Sequence, residues 1–272
     1  MHFLRHNPLA ALGALILLAV LLAVTIGPVF TVSPIAIDMQ AALRPPSLAH
    51  PFGTDFFGRD VLARVLHGGQ ATLTIGIGVV ALAFLAGTTF GLIAGFAGGW
   101  PDLVMMRVVD ALLSFPSLVL AIALAAALGP SLTNAMLAVA VALAPQFARL
   151  ARAQALSISV LPYVEAAVAA GSTPGAIIRR HVLPNGIGPL LVQASLAVGS
   201  AILQTAGLGF LGLGAQPPAP EWGADVAANL QYLRETPWPA LAPGLAILAT
   251  VIGFNLIGDA LGDWFDPRRR SE

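Results

Sequence analysis

The chain has no cysteine and no lysine. The first absence excludes disulfides and thiolate metal sites. The second leaves arginine as the only basic residue among 13 and removes any phosphate-binding GxxxxGK[ST] loop of an ATPase. Charge is scarce as well: 10% of residues are charged and the net charge is zero, so there is neither the basic surface that nucleic acid requires nor an acidic one for cationic ligands. No HExxH and no Ser-His-Asp pattern of defined spacing occurs, and the histidines fall in loops or near the ends of apolar runs. The centres of those runs lack a clear series of ionisable residues, which argues against the proton or ion relay of a proton-coupled secondary carrier. What fills the chain instead is apolar: 57% of 272 residues, arranged in long runs that a bilayer accepts.

The runs predict an all-α integral membrane protein with six transmembrane helices. The first covers residues 9–30, about 33 Å as a helix and enough to cross the hydrocarbon. It is longer than the apolar region of a cleaved signal peptide, which is about 7 to 15 residues, and no small-x-small cleavage site closes it, so it is expected to remain as a helix behind a short N-terminus of residues 1–8. The second to sixth spans are placed at 71–96, 104–128, 132–150, 187–211 and 241–261, within a core of residues 71–262 and before a tail of 263–272. The third is broken near its start by Phe115-Pro116. Gly87, Gly91, Gly95 and Gly99 recur at four-residue intervals along the second span and predict a face that another helix approaches closely. Arg107 and Asp110, one turn apart at the entrance to the third, read as an interfacial ion pair. Asn134, Gln146, Ser195, Ser200, Gln204 and Asn255 supply uncharged polar groups inside spans, suited to helix–helix hydrogen bonds or to lining a pathway.

Two connections stand out. Residues 31–70 are turn-rich and contain HPFGTDFFGRDVLARVLHGG; Val61, Leu62, Val65 and Leu66 share a helical face beside Asp60 and Arg64, which suits a short helix lying at the membrane surface. Residues 212–240 begin inside a glycine- and proline-rich stretch, GLGFLGLGAQPPAPEWG, whose glycines at 207, 209, 212 and 214 are expected to leave the helix.

The third connection, 151–186, is the most distinctive. Ala166, Ala167, Ala169 and Ala170 give a helix an approachable surface, and Gly171 suits the left-handed residue that ends it. Thr173 and Pro174 read as the N-cap and first position of a second short helix through Ile177 and Ile178 to Arg179, Arg180 and His181, with Pro184 as its stop. A helix, a glycine turn and a basic-ended helix between two spans form a compact protrusion on one side of the membrane, suited to docking.

The residues that carry this element also carry a resemblance. Glu165, Ala166, Ala167, Gly171, Leu183 and Pro184 resemble the EAA loop of permease subunits of bacterial ATP-binding-cassette importers, with His181 where the commoner form has isoleucine, as in the peptide-importing branch. Gly58-Arg59-Asp60, the FLGLG-QPP-P-EWG stretch, Arg107 with Asp110, and Asn255 to Asp266-Pro267 (Gly262 and Trp264 departing) match further signatures of the dipeptide, oligopeptide and nickel permeases, most like the C-type dipeptide subunit. The resemblance implies a type I importer permease fold that carries no cofactor, ATP being bound by partner subunits. The implied partners are a second, different permease in a heterodimer, two cytoplasmic ATPases and an extracytoplasmic solute-binding protein, beside membrane lipid and with no nucleic acid. It implies that Glu165, Ala166, Ala167, Gly171, Arg179, Leu183 and Pro184 form the ATPase-coupling loop. Glu165 then either pairs within the loop or meets a basic group of the ATPase. Dipeptides or short oligopeptides are the expected solutes, nickel the alternative.

Arginine alone sets the orientation. With six spans, Arg5, Arg107, Arg149, Arg152, Arg179, Arg180, Arg268, Arg269 and Arg270 lie on the side of both termini, against Arg44, Arg59, Arg64 and Arg234 on the other. The positive-inside rule puts the termini and the EAA loop in the cytoplasm of a cell carrying this multi-pass protein in its inner membrane.

Overall fold

The computed structural model describes residues 8–265, which form helices and connecting loops. Arg5 and Asp266 to Arg270, used above, lie outside the described residues. The helices are α1 (Pro8–Ile26), α2 (Val61–Ala97), α3 (Gly99–Leu113), α4 (Ser117–Leu128), α5 (Leu132–Ser159), α6 (Pro162–Ala169), α7 (Pro174–Ile177), α8 (Leu183–Phe210), α9 (Trp222–Asn229) and α10 (Trp238–Phe265). Five segments are long and apolar enough to span a membrane, and α3 with α4 reaches that length and apolarity only as a pair bent by 90°, which makes up to six. The bend falls at Phe115-Pro116 as expected. Proline lacks the N–H that would continue the ladder and keeps the residue before it out of helical geometry.

The centre of the molecule is the long contact of α2 with α5. Gly87, Gly91 and Gly95 form its close-approach face: a Cβ at these positions would run into Ala144, Ala148 and Arg152 backbone atoms respectively. Gly99 does not belong to that face. It begins α3 with φ +58 and open space around it. Phe147 is fully buried in the same interface and meets Phe84 edge-on at 5.7 Å. Helix α8 packs across α2 and α5, while α1 and α10 pack on each other at the periphery and keep most of their surface outside the bundle.

Several helix ends depart from the hydropathy-based expectation. The second span is not preceded by a separate surface helix. Val61 to Gly69 are the first turns of the continuous 37-residue α2, and Val61, Arg64 and Val65 are buried under the loops instead of lying on the membrane. Span four continues to Ser159, with Arg149 and Arg152 of its extension paired to Asp110 and Asp102, and span six runs from Trp238 to Phe265. Gly207 and Gly209 stay inside α8, which ends at Phe210, and Gly212 takes φ +76 just beyond. Pro184 does not stop a helix. The segment Ile178–Val182 is a π-turn in which the Leu183 N–H donates to the Ile178 carbonyl, and the helix passes from Pro174 to Phe210 without a break. The wider turn accommodates Pro184 at the start of α8, and the Asn185 side chain donates to the His181 carbonyl at 2.6 Å.

Candidate functional site

At one end of the bundle α6, a tight turn and α7 project beyond α5 and α8. The turn is closed by two bonds that reach back into α6: the Gly171 N–H donates to the Val168 carbonyl at 2.9 Å and the Ser172 N–H to the Ala167 carbonyl at 3.1 Å. This is the pairing of a helix end that needs its next residue left-handed, and Gly171 has φ +77. Pro174 takes the first helical position, but Thr173 caps by backbone placement alone, without a side-chain bond. Because a Cβ at Gly171 would meet nothing within 4 Å, the penalty for a side chain there is one of backbone strain only. Gly171→Val is therefore expected to loosen the turn by about 1 kcal/mol or more and to speed amide hydrogen exchange across residues 162–182 about five-fold, with the spans unchanged. Exchange followed by mass spectrometry checks it.

What keeps the protrusion rigid is a small core of its own. Val164 from α6, Ile177 from α7 and Val182 from the π-turn are buried against Leu92, Ala151, Ala155, Ile158 and Leu190 of α2, α5 and α8. The opposite face is open: Glu165, Ala166, Ala169, Ala170, Arg179 and Arg180 are exposed, and Ala167 and Leu183 are half-buried. Glu165 makes no ion pair among the described residues, so the internal pairing considered for it does not form. His181 rests near Tyr163, ring centroids 6.1 Å apart. Around the root, Asp110 does not pair with Arg107. It takes Arg149 of α5 at 2.7 Å, and Asp102 holds Arg152 through two bonds of 2.6 Å. The i, i+3 spacing of Arg107 and Asp110 reflects two residues on one face of α3, the acid of which is used by the neighbouring helix.

The other end holds a polar cluster that residue spacing did not reveal. Arg64, at the start of α2, reaches Asp225 of α9 with both Nε (3.0 Å) and a terminal nitrogen, and its remaining nitrogen donates to the carbonyls of Pro34 (3.0 Å) and Pro218 (3.4 Å). Asp60 lies four residues before Arg64 but does not pair with it. Instead it caps α2 by accepting from the Ala63 N–H at 2.7 Å and meets His50 Nδ1 at 2.9 Å. Asp55 accepts Arg59 Nε at 2.6 Å and the N–H groups of Phe57 and Arg59. Glu221 caps α9 through the N–H groups of Gly223 and Ala224 and accepts from the Thr72 hydroxyl at 3.2 Å. Burial pushes the Glu221 carboxyl above the usual range against those bonds, and pushes Asp225 the same way against the pull of Arg64. The Trp222 indole donates to the Val65 carbonyl at 2.8 Å, and Phe56 stacks on Tyr232 at 5.0 Å. The FGTDFFGRD and PPAPEWG stretches are thus two halves of one cap over α2.

Of the polar residues inside spans, Asn134 donates to the carbonyls of Leu128 and Gly129, and Gln193 joins Gln146 at 3.3 Å. These are bonds within the protein. No group of three or more His, Cys, Asp or Glu able to hold a metal occurs among the described residues.

Comparison with known proteins matches residues 87–271 to the family described as "Binding-protein-dependent transport system inner membrane component". The chain is 49% identical over 266 residues to a probable D,D-dipeptide transport system permease protein of Escherichia coli K12, covering 97% of this chain and 89% of the relative. It is 45% identical over 269 residues to a dipeptide transport system permease protein of Alkalihalophilus pseudofirmus, covering 98% and 88%. A glutathione transport system permease protein of Pectobacterium atrosepticum is 43% identical over 226 residues, covering 83% and 75%. Among solved structures, an inward-facing MetNI methionine ABC transporter chain superposes with a TM-score of 0.60 at 20% identity, covering 72% of this chain and 93% of that one, which supports the same fold. With its apolar helices, its bent α3–α4 pair and its anchored helix-turn-helix, the chain belongs to the binding-protein-dependent transport system inner membrane components.

Proposed function

We propose that the chain is one of two different permease subunits that together form the membrane pathway of an ATP-driven importer of dipeptides or short oligopeptides. The observation that carries this reading is the exposed helix-turn-helix of residues 162–182, seated on its own core between α5 and α8. An ATPase subunit docks there, on the face of Glu165, Ala166, Ala167, Gly171, Arg179 and the root residues Leu183 and Pro184. Because α7 continues through the π-turn into α8, a displacement of the docked loop is carried directly along a span. The arginine distribution puts this end in the cytoplasm, with both termini, and the Arg64–Asp225 cap on the outside, where a solute-binding protein delivers its cargo. The names of the relatives, two of which specify dipeptides, support that solute class.

The test is uptake of a labelled dipeptide into proteoliposomes. Accumulation is expected only when the permease pair, both ATPases, the binding protein and ATP are present together. Uptake by this chain alone in a pH gradient would replace the proposal with a proton-coupled carrier, and ATP-dependent uptake of nickel without dipeptide would replace its solute.

A further inference from the structure

Inside the cap a small cavity lies between α2, α9, α10 and the loop that precedes α2. Its polar lining is Asp55, Arg64, Asp225 and Asn229, and Pro239 and Pro243 of α10 supply part of its apolar wall. The centre of a water molecule has about 10 Å³ to occupy there, room for one molecule and not for several. The lining holds an unsatisfied group. Asp225 is 4% exposed, and Arg64 places both its Nε and a terminal nitrogen on the same oxygen, Oδ1. Oδ2 is left buried with no hydrogen-bond partner among the described residues. A carboxylate oxygen in that position is costly unless something brings it a donor. Arg64 has a donor to spare: a guanidinium carries five N–H groups, and its bonds to Asp225, Pro34 and Pro218 account for four of them. Asp55 has an acceptor to spare. Its Oδ2 takes Arg59 Nε at 2.6 Å and lies 4.0 Å from Arg64 Nε, beyond hydrogen-bond reach.

We propose that this cavity is a binding site for one water molecule, which donates to Asp225 Oδ2 and Asp55 Oδ2 and accepts from the remaining N–H of Arg64. Buried waters make about three hydrogen bonds to otherwise unsatisfied groups, and these residues supply them. A cation does not fit. The carboxylates of Asp55 and Asp225 already face the guanidinium groups of Arg59 and Arg64, so the cluster is neutral and an added positive charge would sit against Arg64 without compensation. The water joins the 53–60 loop to α9, which makes the two ion pairs one network in which neither carboxylate gives up its arginine. A hydrogen bond to the ionised form also opposes the effect of burial on the Asp225 carboxyl. The site does not depend on which solute is transported.

The experiment is a density map of the assembled transporter at a resolution that shows ordered waters, comparing the wild type with Arg64→Met combined with Asp225→Leu. The wild type is expected to show a single peak within about 2.5 to 3.2 Å of Asp225 Oδ2, Asp55 Oδ2 and an Arg64 nitrogen. The double variant, which removes two of those partners, should show none. Radiolytic footprinting gives a second readout, because X-rays split a bound water in place and the radical hydroxylates the side chains beside it. Pro239 and Pro243 are buried, so they should be labelled under X-rays, escape radicals generated only in bulk solvent, and lose their labelling in the double variant. An empty wild-type cavity overturns the proposal, as does X-ray labelling of both prolines that the double variant leaves unchanged. A peak that strengthens when sodium is replaced by thallium would make the ligand a cation and overturns it too.

Discussion

Arg64→Ala is expected to destabilise the outer cap by about 3 to 5 kcal/mol, the cost of leaving a buried carboxylate without its cation. The arginine is 5% exposed and Asp225 4%, so water replaces little of what is lost. Arg64 also ties together three segments far apart in sequence, through the carbonyls of Pro34 and Pro218 as well as Asp225. The expected outcome is a sharply lower thermal midpoint of the permease pair in detergent and rapid hydrogen exchange across 212–237, with the 162–182 end still protected. Arg64→Met combined with Asp225→Leu should recover much of the loss, since removing both charges also removes the desolvation penalty. A single variant as stable as the wild type would mean that the cap is held by its aromatic contacts and not by the ion pair.

Gly91→Leu is expected to break the centre of the bundle. At Gly91 a Cβ meets the carbonyl oxygen, carbonyl carbon and Cα of Ala148, all backbone of a helix that cannot swing aside like a side chain. Overpacking typically costs about 1 to 3 kcal/mol. This site belongs at the upper end because Gly87 and Gly95 make the same close approach one turn to either side. Little monodisperse protein should survive extraction. Gly244→Ala is the control: nothing lies within 4 Å of its Cβ position in α10, and alanine favours a helix interior by up to about 1 kcal/mol. Equal yields from the two variants would contradict the packing account.

These two sites differ in how far the sequence reveals them. The glycine stripe is a repeat along one helix, and the Gly171 turn is local backbone geometry, so both are legible from neighbouring residues. Residues 61–70 are not, because Arg64, His67 and Gln70 lower the hydropathy of what is the first part of a continuous helix. The partner that permits a buried arginine there is Asp225, 161 residues away. Spacing likewise suggested Arg107 for Asp110, when Arg149 across the helix interface holds it. Pro184 reads as a helix stop on propensity alone, yet the π-turn before it lets α7 run into α8. Periodicity and backbone chemistry are written locally, whereas the choice of ion-pair partner and the rescue of a proline are set by packing.

The claim that the 162–182 element is where an ATPase docks, on the cytoplasmic side, is tested most directly by one cysteine. Because the chain has none of its own, Ser172→Cys places a unique thiol on the exposed turn. In inverted membrane vesicles carrying the permease pair, a membrane-impermeant maleimide should label it at once, and adding the ATPase subunits should slow that labelling at least ten-fold; right-side-out vesicles should not label at all. Labelling from the outside, or labelling indifferent to the ATPases, would contradict the account.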